Sequence, residues 1–254
     1  MAEMPLISII TVVRNDAERL RHTLCGLAPF KGVRTENIVV DGASTDHTLE
    51  VIKSLPEIVD RYISEPDKGI YDAMNKGTAL ARGDYLLFLN AGDELLTDLE
   101  SLVSTVSGAP VMVYGKVNMY AADGSFLYLK GKRLKSINQF LKGMPLCHQG
   151  ILYRRDCMMA YDLRYPVYAD RALTYHLLCK HGLSQARFVD CIMVNFYEDG
   201  FSCTTSEDSL RTEQNEFYRH VGKEHYILIK YLKAQFKQKV KLPLQRLTGR
   251  RPRN

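Results

Sequence analysis

No stretch of this 254-residue sequence approaches the roughly 18–20 uninterrupted apolar residues that a membrane-spanning helix needs. No G-x-G-x-x-G follows the first apolar run, where the turn reads Arg14-Asn15-Asp16, and no G-x-x-x-x-G-K-[ST] occurs anywhere. A dinucleotide dehydrogenase and a P-loop phosphotransferase are both disfavoured. Tryptophan is missing altogether, and the six cysteines form no C-x-x-C pair. Met1 to Val13 is apolar but has no basic flank and no small-residue cleavage site, so it reads as a first buried strand rather than an export signal. Reduced thiols in a cytosolic setting, mostly small core residues, are the expectation.

What is present fits a soluble globular chain of one or two domains: 46% hydrophobic and 25% charged residues, too apolar for disorder. The net charge of +5 is unevenly spread. From Lys223 to Asn254 there are ten Lys/Arg and one acid, Glu224, a net of +9 that leaves −4 for the other 222 residues. In that segment Ile229, Leu232, Phe236 and Val240 recur at helical spacing, and Lys230, Lys233, Lys237 and Lys241 follow on an adjoining face. A basic amphipathic helix of this kind suits an anionic membrane surface, although its stripe could also dock on the body of the protein.

Apolar runs and helical periodicities alternate along the first hundred residues. Leu6–Val13, Asn37–Val40, Tyr62–Ser64 and Tyr85–Leu89 read as strands. Helices are expected over Asp16–Leu27, over a segment capped by Ser44 or Thr45 and carrying Leu49, Ile52 and Leu55, and over Ile70–Ala81. This is a βαβ pattern, hence an α/β fold with a parallel sheet covered on both faces. Beyond it the pattern is less regular, with strands expected at Val111–Val117, Phe126–Leu129, Gly150–Tyr153 and Phe188–Val194 and a helix at Ala169–Lys180. The sequence predicts one α/β domain, residues 1–222, followed by a basic helix and tail, 223–254.

Ligands of open parallel sheets sit beyond the carboxyl ends of the strands. Three acid-bearing loops follow strands here: Asp41–Asp46, Glu65–Lys68 and Asn90–Glu94. Acids gathered at one rim repel each other unless a cation or donor groups lie between them, which suggests a metal-bound phosphorylated ligand. Asp41, Asp46 and Asp93 also suit ordinary turn and capping roles.

In order, ISIITVVRN (Ile7–Asn15), IVVDGASTDHT (Ile38–Thr48), SEPDKGIYDAMNKGTALARGDYLLFLNAGD (Ser64–Asp93), HQGILYRR (His148–Arg155) and YDLRYPVYADRAL (Tyr161–Leu173) resemble glycosyltransferase family 2. The likeness runs over roughly residues 6 to 205 and is nearest to bacterial exopolysaccharide enzymes of the colanic-acid type. It implies the GT-A fold, a Rossmann-like and mostly parallel sheet with helices on both faces. It also implies inverting transfer from a nucleoside-diphosphate sugar with Mn²⁺ or Mg²⁺ as cofactor.

By the same resemblance, Asp41 matches the acid that binds the donor base, Thr11 a position beside base and ribose, and Lys68 a nucleotide contact. Asp72 and Asn75 fall in the matched helix, where they would bridge the nucleotide loops or simply face solvent. Asn90-Ala91-Gly92-Asp93 matches the D-x-D metal motif with Asn90 and Gly92 standing where acids are common, which leaves Asp93 as the charged ligand and Asn90 as a neutral oxygen. His148 matches a region that supplies a metal or diphosphate contact in some relatives, and is equally readable as a satisfied polar residue. Asp170, opening a helix, matches the catalytic base. Asp199-Gly200-Phe201-Ser202 resembles a loop that could close over the donor.

A processive synthase would add a Q-x-x-R-W element and membrane spans, and neither is found in this sequence. One sugar per encounter is expected, passed to a lipid-linked or saccharide acceptor by a cytoplasmic enzyme peripheral on the inner face of the membrane. A non-catalytic nucleotide-sugar-binding or scaffold protein of the same fold and a nucleotidyltransferase are the alternatives. Nucleic-acid binding through the basic tail is disfavoured by the acidic body.

Overall fold

The opening apolar run forms β1 (Ile7–Val13), buried along its whole length. Strand β2 (Thr35–Asp41) and strand β4 (Tyr85–Phe88) pair with it in parallel on either side, and β3 (Arg61–Ser64) extends the sheet beyond β2. Helices α1 (Ala17–Leu27), α2 (Thr48–Ser54) and α3 (Ile70–Leu80) make the crossovers, so the central strands are covered on both faces and read as continuous apolar runs. The computed structural model describes residues 7–198 and 205–230. They fall into two compact units that divide between Thr204 and Thr205.

Two close approaches lock this half. A Cβ on Gly77 of α3 would stand 2.4 Å from Ile10 Cγ2 on β1, so glycine lets the helix lie directly on the strand. Glu36 of β2 is buried, and its Oε1 accepts from Ser8 Oγ (2.5 Å), Arg82 N (2.6 Å) and Gly83 N (3.2 Å). One carboxylate thereby joins β1, β2 and the turn into β4, with its desolvation offset by three donors.

After β4 the sheet changes character. Strand β8 (Ile151–Arg154) runs antiparallel to β4, and β6 (Met112–Ala121) antiparallel to β8. Strand β9 (Ala186–Glu198) lies parallel to β6 and antiparallel to β5 (Glu94–Leu95). Strand β7 (Phe126–Lys130) returns along β6. Among the described residues nine strands make one sheet in the order β3-β2-β1-β4-β8-β6-β9-β5, with β7 on β6. Helices α4 (Leu99–Ser104) and α5 (Ala169–His181) complete this unit.

Several expectations need correcting. Neither Ser44 nor Thr45 caps α2, which begins at Thr48: the Ser44 hydroxyl turns to Asp41, and Asp46 Oδ1 accepts from Thr48 N (3.0 Å) instead. The cysteines are not mostly core residues, since Cys147 and Cys157 are buried but Cys25 and Cys179 are exposed. The second unit contains α6 (Glu207–His220), capped by Ser206 on Ser209 N, and residues 225–230 are helical. There Tyr226 stacks on Tyr218 at 5.6 Å. The rest of the expected basic helix, from 231 onward, lies outside the described residues. Among the described residues no helix is long and apolar enough to cross a membrane.

Candidate active site

The registers set the strand ends side by side. Val13 pairs with Asp41 and Asp41 with Ser64, while Ala91 N reaches Val12 O at 3.4 Å. The three acid-bearing loops therefore share one rim with the Arg14–Asp16 turn.

Asp41 is buried at this rim. Its carboxylate accepts from Ser44 N (3.2 Å), the Ser44 hydroxyl and Ser64 Oγ (2.6 Å). Asn15, at φ 52°, ties the neighbouring turn to the same loop through Ser44 Oγ on its own N (2.7 Å) and Thr45 N on its Oδ1 (2.8 Å). Asp67 and Arg14 close over Gly42, where a Cβ would stand 2.2 Å from Asp67 Oδ2 and 3.3 Å from Arg14 Cδ and would displace the Asp67 carboxylate. Lys68 is exposed, and its backbone N–H donates to Asp72 Oδ2 (3.0 Å). Asp72 also lies 3.7 Å from Lys76 Nζ, which pairs with Glu65 at 2.9 Å. Asp41, Lys68 and Asp72 thus stand together on the rim. Thr11 is only 1% exposed and lies two residues short of the strand end, on the same face as the core residues Ile9 and Val13.

The Asn90–Asp93 loop is clamped by α1. Thr23 Oγ1 accepts from Gly92 N (2.8 Å) and donates to Asp93 O (2.9 Å). One turn earlier, the Arg19 guanidinium lies against Gly92, where a Cβ would come within 2.3 Å of Nε. Gly92 itself has φ +99°, so any side chain at this place in the motif is disfavoured by the backbone, and one would also displace the Arg19 guanidinium. Asp93 is 2% exposed, with Oδ2 accepting from Asn90 N at 3.2 Å. Asn90 Oδ1 is buried and has no hydrogen-bond partner. A carboxylate and an unsatisfied amide oxygen on one short loop suit a hard divalent cation. Among the described residues no three His, Cys, Asp or Glu side chains come together as a metal cluster.

His148 opens a single 3-10 turn, His148–Gly150, directly before β8 and so beside the end of β4. Its ring stacks on Phe88 (centroids 5.2 Å apart) and its Nε2 bonds to Tyr161 Oη (2.8 Å). Helix α3 pins the segment that follows: Asn75 exchanges two bonds with the Tyr161 backbone (3.0 and 2.8 Å), and Tyr71 Oη donates to Val167 O (2.8 Å). That segment delivers Asp170 to the first turn of α5, where Oδ1 accepts from Arg171 N (2.6 Å). Arg171 is fully buried, with Nε on Phe140 O (2.6 Å) and the guanidinium over the Tyr168 ring.

Charge connects the two acids. Burial above all, opposed by Lys130 and aided by the charges of Asp93 and Asp170, pushes the Cys147 thiol up to about 12. Burial lowers the His148 pKa while the Asp170 charge pulls it up. His148 therefore protonates less readily in the folded chain than in the unfolded one. Stability from this group is complete above its ordinary 6.5 and is lost as pH falls below it toward the depressed folded value. Between about pH 7 and about pH 5 the melting temperature of the wild type is expected to fall faster than that of His148→Gln, by thermal denaturation at constant ionic strength. Parallel curves would mean that His148 does not titrate this way.

Sequence reading missed Arg19, Thr23, Lys130 and Cys147. Arg19 and Thr23 were visible only as an i,i+4 pair on one face of α1, which says nothing of the loop they hold. The expected donor-closing loop at Asp199–Ser202 lies outside the described residues.

A family model described as glycosyl transferase family 2 matches residues 8–165. A PGL/p-HBAD biosynthesis glycosyltransferase of Mycobacterium bovis is 32% identical over 218 residues, covering 80% of this chain and 81% of its own length. An uncharacterized glycosyltransferase of Haemophilus influenzae is 28% identical over 138 residues, 53% of each chain. Among solved structures, S. aureus TarS in complex with UDP superposes with TM-score 0.62 at 15% identity over 82% of this chain. This chain spans 63% of that TarS chain's length. Mannosyl-3-phosphoglycerate synthase from Rubrobacter xylanophilus gives TM-score 0.57 at 16% identity, over 86% of this chain and 76% of its own. At such identities the two structures speak for the fold alone.

Proposed function

Because this chain belongs to glycosyl transferase family 2 and is a glycosyltransferase, we propose that it moves a single sugar, with inversion, from a nucleoside-diphosphate sugar to a lipid-linked or saccharide acceptor. The observation that carries this reading is the tie between the end of β4 and the start of α5. Phe88 lies two residues before Asn90 and meets Tyr161 edge-on at 5.4 Å, and α3 fixes the stretch from Tyr161 to Val167 that leads to Asp170. This tie supports reading Asp93 as the carboxylate of the donor side and Asp170 as that of the acceptor side of one site.

Asp41 and Lys68, with Thr11 and Asp72 behind them, are the groups for the nucleoside and its phosphates. Asp93 and Asn90 Oδ1 would hold Mn²⁺ or Mg²⁺, with phosphate oxygens of the donor completing the shell; His148, whose Nε2 bonds to Tyr161 and whose ring packs on Phe88, would support this loop from beside it and not ligate the ion. The cation would neutralise charge on the diphosphate. Asp170 takes the proton of the acceptor hydroxyl as that oxygen bonds to the anomeric carbon and the bond from that carbon to the diphosphate oxygen breaks. One displacement inverts the centre. The glycosyltransferase of M. bovis, named for PGL/p-HBAD biosynthesis, supports an acceptor of glycolipid type. The enzyme would work in the cytoplasm, peripheral to the inner membrane face, with residues 223–254 as a basic appendage.

A thermal-shift panel of UDP- and GDP-sugars, with and without Mn²⁺ or Mg²⁺, tests the donor. A ligand at 100 times its Kd stabilises the native state by about 2.7 kcal/mol. A metal-dependent rise with one nucleotide class is expected, and turnover should release nucleoside diphosphate. No shift with any donor refutes the reading, and pyrophosphate release would make the chain a nucleotidyltransferase.

A further inference from the structure

Strand β7 carries partly exposed apolar side chains on both of its faces, with Tyr128 Oη donating to Glu198 Oε1 (3.1 Å) and Phe126 edge-on to Tyr120. Phe126 is 57% exposed, Leu127 43%, Tyr128 47% and Leu129 41%, although successive side chains of a strand point to opposite sides. Among the described residues the strand pairs with β6 alone. An apolar edge of this length is a liability for a protein that stays free in water.

Its position follows from the register. Strand β6 leaves β8 at the Tyr114–Ile151 pair and continues to Ala121, with Val117 opposite Lys130. Because β6 runs in the same direction as β4 and buried Val117 packs on Gly150, the hairpin residues between Val117 and Lys130 continue beyond the His148–Gly150 turn. The chain that follows is basic: between Phe126 and Lys135 stand Lys130, Lys132, Arg133 and Lys135 and no acid. The last three are exposed.

We propose that the β6–β7 hairpin seats the enzyme on an anionic lipid bilayer, with Phe126 to Leu129 entering the interface and the basic residues after them against headgroup phosphates. The proposal rests on the reading that the acceptor is lipid-linked. A bilayer interface surrounds both faces of a strand, whereas a second strand added at the backbone edge would leave both faces wet. A second copy of this chain would bring four more positive charges to the same place. Tyrosine and phenylalanine beside lysine are the side chains that favour the membrane–water boundary. Lys130 ends β7 opposite Val117, and Val117 packs on Gly150 of the His148–Gly150 turn, so a bilayer held by the hairpin would present a headgroup-linked acceptor beside that turn.

The absence of tryptophan supplies the probe. In the full chain, Phe126→Trp introduces a single indole on β7, and Tyr62→Trp a control on the exposed face of β3. With vesicles of phosphatidylcholine and phosphatidylglycerol, the β7 indole is expected to shift to shorter wavelength and to be quenched by brominated acyl chains. The β3 indole should show neither effect. Leu127→Ser combined with Leu129→Ser should weaken vesicle partition roughly tenfold while leaving nucleotide affinity unchanged. Protein that sediments with vesicles while the β7 indole stays unquenched overturns the hairpin assignment and leaves the membrane reading standing. Protein that sediments with no vesicle overturns both. A blue shift that grows with protein concentration without lipid would mean that a second copy covers the strand, which also overturns the proposal.

Discussion

Asp170→Asn is expected to lower kcat for sugar transfer by about 10²–10⁴-fold, the range for loss of a positioned general base, while Kd for the donor nucleotide stays unchanged. The substitution keeps an oxygen where Oδ1 accepts the Arg171 N–H, so the start of α5 should hold its shape. Tyr153 Oη and Thr174 Oγ1 bond to each other at 2.7 Å one turn further on, and that pair is untouched. What disappears is the capacity to take a proton. Single-turnover transfer measures the loss, and calorimetric titration with nucleotide measures the binding. Unchanged transfer would remove Asp170 from the chemistry. A loss confined to donor affinity would make it a donor-binding residue.

Asp93→Asn separates the other carboxylate. The amide oxygen can still accept from Asn90 N, as Oδ2 does at 3.2 Å, but the negative charge is gone. Affinity for nucleoside diphosphate should then be the same with and without Mn²⁺, where the wild type binds more tightly with the ion. Turnover is expected to fall by about 10²–10³-fold, as when one group that stabilises developing charge is deleted. Metal enhancement that survives the substitution would place the cation elsewhere. Restoring the commoner acid by Gly92→Asp is not expected to strengthen the site. The position has φ +99°, and a Cβ would fall within 2.4 Å of both Nε and Nη2 of Arg19. This loop is built around a guanidinium where relatives of the D-x-D pattern carry a carboxylate.

The fold was most legible where local pattern and burial agree. From Ile7 onward the expected Leu6–Val13 strand is fully buried, and the helix expected over Ile70–Ala81 is found at Ile70–Leu80 with Ala73, Met74 and Gly77 buried. Legibility fell in the second half for a physical reason. β9 is thirteen residues long with an irregular burial pattern, so only its Phe188–Val194 stretch was expected, while β5 with two residues and α4 with six carry too few periods to reveal themselves. The Ser44 error has the same origin. Capping by Ser44 was a local inference, and a buried carboxylate three residues back, Asp41, competed for its hydroxyl.

The site divides in the same way. Asp41, Asp93 and Asp170 were readable as acids after strands or at a helix start. Their supports were not, because those are contacts between distant segments: Thr23 with Gly92, Asn75 with Tyr161, Tyr71 with Val167. Residues of this kind follow a fold and cannot be found from spacing. His148 shows the complementary case: its type and place suggested a ligand, yet its Nε2 is engaged by Tyr161 and its ring is packed on Phe88.

The most direct measurement is a crystal structure of the full-length Asp170→Asn variant with Mn²⁺ and the nucleotide sugar selected by thermal shift. The account predicts a cation about 2.0–2.6 Å from an Asp93 oxygen and from Asn90 Oδ1. It also predicts the diphosphate on that cation and the anomeric carbon turned toward residue 170. A nucleotide bound away from the Asn90–Asp93 loop, or a sugar with its anomeric carbon facing away from α5, would contradict it.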